Sequence, residues 1–349
     1  MHSDSVPGII RQALDDNMFT GAALILVRKG HTVLEEYFGR IGISDEKRVD
    51  SHTLFDLASL TKVLATTPCW MKLLESHPEA LDSPISRWFE RIPHDKTSIT
   101  PRLLLAHSSG LPAWRPYYLF NRGLGHRDFV TARILNENLA YPTGGASVYS
   151  DLGFILLAHI LEKQTSKSLD EVCKQLVYGY LDLCDELLFN PSDSFRDTAQ
   201  TRSGDKPGTV NDLNARALGG VAGHAGLFGT AKGVARLSWE FVKSLHHENS
   251  FFDQDMMKIF VTPCTHVPGS SRALGFDTKS AVGSSCGSLF GASSFGHTGF
   301  TGTSVWTDPE RELVAVFLTN RVAMGESDLR IKIMRPTLHD KIIKMFQRE

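Results

Sequence analysis

The sequence predicts a mixed α/β fold: one antiparallel sheet drawn from both chain ends and flanked by helices, with a mainly helical domain inserted between. β-rich runs occur near both termini, whereas the apolar residues between them recur at helical spacing. A single sheet joining the terminal strands is the most economical arrangement. We therefore expect residues 1–58 and 246–349 to form a discontinuous α/β domain, residues 59–245 to form a mainly helical domain, and an active site to lie in the cleft between them.

The N-terminal elements are a short helix followed by a hairpin. Apolar residues recur at helical spacing in residues 6–16. Two β-rich runs, residues 21–28 and 31–38, then flank Lys29-Gly30, which is typical of a hairpin turn. This end of the chain should therefore contribute one helix and two paired strands.

The middle of the chain is mainly helical, and loops rich in glycine, proline and serine divide it. The candidate helices there are residues 63–74, 98–105, 128–139, 152–163, 169–181 and 232–245. Strand character returns in residues 272–276, 303–308 and 312–319, and the closing helix is predicted over residues 328–347. These late strands should join the N-terminal hairpin in the sheet.

Composition excludes several classes of function. The 349 residues are 42% apolar and 22% charged, as in an ordinary globular protein. The 37 basic and 39 acidic residues give a net charge of −2, which argues against nucleic-acid binding. No apolar run approaches the roughly 18 residues of a membrane span. We expect a small-molecule or peptide substrate as partner, and the sequence indicates no oligomeric state.

The cysteines and the N-terminus bear on the cellular compartment. Five scattered cysteines without Cys-x-x-Cys spacing favour reduced thiols over disulfides or a zinc site, so we expect neither a metal nor a cofactor. The first residues have no basic and apolar signal pattern, which predicts a cytoplasmic protein, or a periplasmic or secreted one if a leader has been removed.

Ser59 and Lys62 are the strongest candidates for catalysis. They lie three residues apart at the start of an apolar helix, so the lysine ammonium should lie near the serine hydroxyl. A serine needs a neighbouring base to become a nucleophile, and a partly desolvated lysine can serve if its pKa is lowered. The same spacing at Ser44–Lys47 and Ser203–Lys206 falls in polar loops, where a surface role is expected.

Two later segments supply candidate partners for this pair. Tyr149 precedes an apolar helix and could pass protons through its phenol, although a core tyrosine with a bonded hydroxyl is the alternative. The segment His297-Thr298-Gly299-Phe300 leads into a strand, and the Phe300 N–H could face that of Ser59 as an oxyanion hole. A glycine-rich turn without catalytic function would explain this segment equally well.

Together, Ser59-x-x-Lys62, Tyr149-x-Asp151 and His297-Thr298-Gly299, in this order, resemble the serine β-lactamase and penicillin-binding-protein superfamily, especially its class C β-lactamase-like branch of D,D-peptidases and esterases. The resemblance implies a β-lactamase/transpeptidase-like fold. It also implies Ser59 as nucleophile, Lys62 as base, Tyr149 as proton relay, and the Ser59 and Phe300 N–H groups as the oxyanion hole.

The positions expected to face the substrate depart from this family. His297 replaces a lysine that helps to hold the substrate carboxylate, and a histidine of ordinary pKa, about 6.5, is mostly neutral at pH 7. Asp151 replaces an asparagine but keeps an oxygen that can orient Lys62. Trp114 offers an aromatic wall in place of a glutamine, although a loop packed on the core would explain it equally well. With Thr298 and Gly299, these residues are the predicted substrate contacts.

The expected function is therefore that of a serine hydrolase that acts through an acyl-enzyme on ester or D-amino-acid amide and peptide substrates. A true class C-type β-lactamase or a D,D-carboxypeptidase is the first alternative. A non-catalytic binding protein on the same scaffold is the second, and it should have lost Ser59, Lys62 or Tyr149, all of which are present.

Overall fold

The structure is a computed structural model that describes residues 5–120, 126–191 and 197–347. Its strands are β1 Gly21–Arg28, β2 His31–Gly39, β3 Phe55–Asp56, β4 Leu187–Phe189, β5 Leu227–Gly229, β6 Asp277–Thr278, β7 Phe295–Thr298, β8 Ser304–Asp308 and β9 Leu313–Thr319. Its α-helices are α1 Val6–Asp15, α2 Thr67–Ser76, α3 Pro101–Leu105, α4 His126–Leu135, α5 Asp151–Thr165, α6 Leu169–Cys173, α7 Leu213–Ala217, α8 Ala231–His246, α9 Gln254–Val261 and α10 Ile331–Phe346.

The main sheet joins both ends of the chain, which confirms the predicted fold class. Its strand order is β2-β1-β9-β8-β7-β6, and every neighbouring pair is antiparallel. β9 is buried along its whole length, because helices cover both faces of the sheet. α1 and α10 pack against each other on one face, and α8 contacts β1, β8 and β9.

Two parts of the sheet arrangement differ from the prediction. Residues 272–276 do not form a strand, because Gly275 has φ +86 and turns the chain, so that β6 begins only at Asp277. A second sheet of three short strands, in the order β3-β5-β4, was not predicted. Strands of two or three residues are too short to show a periodic pattern.

The predicted division into two domains stays a prediction, but α8 bears on its boundary. That division assigned α8 to the helical domain, whereas the helix packs on the sheet. One continuous apolar core also contains residues from β1, α3, α5 and β9. Among the described residues, no helix is both long and apolar enough to cross a membrane.

Candidate active site

A short, buried turn places Ser59 between a strand and a helix. β3 ends at Asp56, whose Oδ1 accepts a hydrogen bond of 2.8 Å from the Ala58 N–H. Ala58 has φ +47, a left-handed conformation that costs a non-glycine residue roughly 1–2 kcal/mol. Ser59 follows directly, and the helical segment that contains Lys62 and α2 begins after it. Asp56 therefore holds the strained turn on which the serine is presented.

Lys62 lies beneath Ser59, and its ammonium group makes three hydrogen bonds. Its Nζ is 3.2 Å from Ser59 Oγ, 2.7 Å from Asp151 Oδ1 and 3.1 Å from the His224 carbonyl oxygen. The side chain is fully buried, in a π-helical turn, Lys62–Thr66, that runs into α2. π-Helical turns of this kind are frequent at functional sites.

The pKa of Lys62 is raised, whereas a lysine that serves as a base is expected to have a lowered pKa. Burial acts to lower the pKa of Lys62, but Asp151 and Tyr149 act in the opposite direction and leave it raised above the ordinary lysine value. Lys62 is therefore an ammonium ion in this arrangement. If Ser59 acts as a nucleophile, the coupled group of Lys62, Tyr149 and Asp151 can accept its proton only after that group has lost one.

Tyr149 is held between two imidazole rings. Its ring centroid lies 4.7 Å from that of His107 and 5.7 Å from that of His297. Lys62 Nζ and the Arg272 guanidinium carbon lie 4.8 Å and 5.1 Å from the tyrosine centroid. Burial raises the pKa of Tyr149, while Lys62 opposes the increase. The phenol oxygen is buried beside the side chains of Lys62 and Ser59, which act to lower the pKa of Tyr149, and no other described residue binds its hydroxyl.

The loop after β7 is fastened to the Ser59 turn. Thr301 Oγ1 donates to the Asp56 carbonyl at 2.7 Å, and Thr303 Oγ1 donates to the Leu57 carbonyl at 3.2 Å. Gly299 is required here, because a Cβ at this position would lie 2.7 Å from the Leu57 oxygen. The buried Arg335 donates to the carbonyls of residues 299, 302 and 303 from α10.

The backbone N–H groups of Ser59 and Phe300 are available to a ligand. Neither N–H donates a hydrogen bond to any residue that the structure describes. Ser59 and Phe300 both line the same pocket. Two converging backbone N–H groups beside a nucleophile can stabilise the oxyanion of a tetrahedral intermediate.

His297 is placed differently from the prediction. Its side chain is buried, and it does not line the pocket, nor do Thr298 and Gly299. The His297 Nδ1–H donates to the Thr298 carbonyl at 2.7 Å, which leaves Nε2 as an unprotonated atom without a partner among the described residues. Burial, with Lys62 and Arg272, lowers the pKa of His297 well below its ordinary value. A neutral, buried histidine cannot replace the lysine that it was expected to replace.

The pocket above Ser59 has a volume of about 360 Å³. Trp114 and Phe300 are exposed and give it aromatic side walls. Its other walls are Ala58, Tyr149, Asp151, Arg202, Asn211, Asp212, Leu213, His224, Ala225 and Glu326. A cleft of about 470 Å³ around Lys72 and Phe251 contains none of the candidate catalytic residues.

The comparison with known proteins identifies the family of the chain. Residues 6–335 match the sequence profile of the family described as Beta-lactamase. The chain belongs to the beta-lactamase family. It is therefore a serine hydrolase of the β-lactamase and penicillin-binding-protein superfamily, which confirms the resemblance and the predicted class of enzyme.

Relatives of this beta-lactamase-family chain are named for different activities. N-acetylmuramyl-L-alanine amidase of Bacillus subtilis (strain 168) is 30% identical over 345 residues, which cover 87% of this chain and 77% of that protein. A putative D-alanyl-D-alanine carboxypeptidase of Escherichia coli (strain K12) is 27% identical over 332 residues, which cover 85% and 76%. The structure of a beta-lactamase/D-alanine carboxypeptidase from Pseudomonas syringae covers 97% of both chains, with 18% identity and a TM-score of 0.77.

Sequence reasoning missed several pocket residues of this beta-lactamase-family enzyme. Arg202, Asp212 and Glu326 lie in loops whose sequence gives no periodic signal. His224 also lines the pocket, and its Nε2 is 2.9 Å from Asp212 Oδ1. No group of three or more His, Cys, Asp or Glu within residues 5–120, 126–191 and 197–347 is arranged to hold a metal ion.

Proposed function

We propose that the chain hydrolyses ester or D-amino-acid amide and peptide bonds through an acyl-enzyme formed on Ser59. The observation that carries the proposal is the contact of Ser59 Oγ with Lys62 Nζ at 3.2 Å, at the base of a pocket that Tyr149 and Asp151 also line. A serine beside a group that can accept its proton is the arrangement that nucleophilic catalysis requires.

In the proposed reaction, Ser59 Oγ attacks the substrate carbonyl carbon, and its proton passes to the deprotonated form of the Lys62–Tyr149 pair. The carbonyl oxygen becomes an oxyanion, which the Ser59 and Phe300 N–H groups bind. The pair then returns the proton to the leaving amine or alcohol as the bond to it breaks. A water molecule next attacks the acyl-Ser59 ester, and the same groups restore the serine hydroxyl.

The relatives support the choice of bond. One is named an amidase and another a putative D-alanyl-D-alanine carboxypeptidase, so both names describe cleavage of an amide bond. A pocket of about 360 Å³ suits a small molecule or a short peptide. Asp151 lacks the amide donor of asparagine, and Trp114 gives the pocket an aromatic wall, so we place amides and esters ahead of β-lactams.

A D,D-carboxypeptidase is the second candidate, because several relatives carry that name. We also propose that the protein is cytoplasmic, a location that suits its five free cysteine thiols. A non-catalytic role is disfavoured, because Lys62 contacts Ser59 directly and lies over the ring of Tyr149.

A substrate panel tests the proposal. p-Nitrophenyl esters, nitrocefin and D-Ala-D-Ala peptides would be assayed with the wild type, Ser59→Ala and the matched control Ser44→Ala, which alters an exposed Ser-x-x-Lys serine. We expect Ser59→Ala to lower kcat/KM by at least about 10³-fold and Ser44→Ala to leave it unchanged. Equal activity of Ser59→Ala and wild type would exclude Ser59 as the nucleophile.

A further inference from the structure

One guanidinium group lies in the pocket wall. Among the described residues that line the pocket, Arg202 is the one side chain with a permanent positive charge. Its side chain is 34% exposed, whereas the ammonium of Lys62 is fully buried beneath Ser59. A negatively charged part of a substrate in this pocket would therefore meet Arg202 first.

The position of Arg202 is fixed relative to the nucleophile. Its Nε and Nη2 each lie 3.3 Å from Asn211 Oδ1. The Asn211 backbone N–H donates to Asp56 Oδ2 at 2.6 Å, and the other oxygen of Asp56 binds the Ala58 N–H beside Ser59. The buried Asp56 carboxylate thus links the turn that contains Ser59 to Asn211, the residue that orients the guanidinium.

The present partner of Arg202 can be exchanged. Nη2 forms an ion pair with Glu326, whose side chain is exposed, and Nη1 makes no hydrogen bond to a described residue. Ion pairs between partly exposed side chains contribute little net stability. A substrate carboxylate can therefore take the place of Glu326 and bind the planar guanidinium through two parallel hydrogen bonds.

We infer that Arg202 selects substrates that carry a carboxylate, by exchanging its ion pair with Glu326 for one with the substrate. The inference rests on the proposed hydrolysis at Ser59. It assigns to a loop residue the positive charge that the resemblance places at the position of His297, a histidine that is buried outside the pocket. Arg202 is thus a specificity residue, with Asn211 as its positioning residue.

Matched substrate pairs test this assignment. The first pair is N-acetyl-D-Ala-D-Ala and its C-terminal amide, and the second is p-nitrophenyl hemisuccinate and p-nitrophenyl butyrate. For each pair the measured quantity is the ratio of kcat/KM for the acid to kcat/KM for the neutral compound. Because both values come from the same enzyme sample, partial unfolding of a variant cancels in the ratio.

For at least one pair, Arg202→Gln should lower this ratio by about 10- to 100-fold, the effect of losing a hydrogen-bonded charge partner. Arg202→Lys should lower it less, and Glu326→Gln should raise it, because the competing carboxylate is gone. The control is Arg102→Gln, since Arg102 is also ion-paired, to Asp82, and 36% exposed, but lies away from the pocket. It should leave the ratio unchanged.

Two failures are distinguishable in this experiment. An unchanged ratio in Arg202→Gln for both pairs overturns the inference while leaving hydrolysis at Ser59 intact. A wild type that hydrolyses no member of either pair and forms no adduct at Ser59 overturns the proposed function itself.

Discussion

The buried ion pair between Lys62 and Asp151 should make Asp151→Asn strongly destabilising. At 2.7 Å and an effective dielectric constant of about 20, the two charges attract by about 6 kcal/mol. Desolvation offsets part of this attraction, and removal of one partner from a buried pair typically costs 3–5 kcal/mol. Asp151 is 19% exposed, so we expect the lower end, about 3 kcal/mol. For a chain of 349 residues, that corresponds to a fall in Tm of roughly 4 °C.

The pH dependence identifies the cause of this loss. The pKa of Lys62 is raised in the wild type, so its contribution to stability is present below the pKa of a lysine in the unfolded chain and is lost as pH rises through the folded pKa. In Asp151→Asn, burial acts without the carboxylate, and the pKa of Lys62 falls. The difference in stability between variant and wild type should therefore shrink as pH rises from 7 towards about 10.4, the ordinary lysine pKa.

Urea unfolding of four proteins provides the assay: wild type, Asp151→Asn, Lys62→Met and the double mutant. The double mutant should be more stable than Asp151→Asn, because it leaves no unpaired ammonium in the core. Asp82→Asn, which removes the exposed partner of Arg102, is the control and should change the free energy of unfolding by under about 1 kcal/mol. An Asp151→Asn variant that matches this control, with a deficit independent of pH, would refute the reasoning.

Two further predictions concern single groups near the pocket. Because His297 is buried and neutral, kcat/KM for acidic and neutral substrates should have the same pH profile between about pH 6 and 8; an extra loss with rising pH for acidic substrates alone would contradict its placement. Burial acts to raise the pKa of Asp212, but His224 and the Ala215 N–H hold it at about 2. Asp212→Asn should therefore cost about 2 kcal/mol at pH 7, and the gap in urea-unfolding free energy should close as pH falls towards 2; a constant gap would show that the lowered pKa of Asp212 is not its source.

The strands that carry strong local patterns could be predicted from the sequence. The β1–β2 hairpin follows from two β-rich runs about Lys29-Gly30, and the late strands follow from apolar runs. The small β3-β5-β4 sheet could not be predicted in this way, since its pairing joins residues about 40 to 170 positions apart through strands of two or three residues. Such pairing depends on tertiary packing rather than on local sequence.

In the candidate site too, local sequence predicts contacts between near neighbours but not those that depend on tertiary packing. The contact between Ser59 and Lys62 could be predicted, because a spacing of three places them on one helical face. The raised pKa of Lys62 could not, since it depends on the distance to Asp151 from another helix. The family resemblance put His297 among the substrate contacts, but the direction of a strand side chain is set by register, which the sequence alone does not show.

The measurement that tests the central claim most directly is peptide mapping, by mass spectrometry, of the enzyme after reaction with a fluorophosphonate or a penicillin. We predict a single covalent adduct on the peptide that contains Ser59, formed by the wild type and by Ser44→Ala and absent from Ser59→Ala. An adduct on another peptide, or one that persists in Ser59→Ala, would contradict the assignment of Ser59 as the nucleophile.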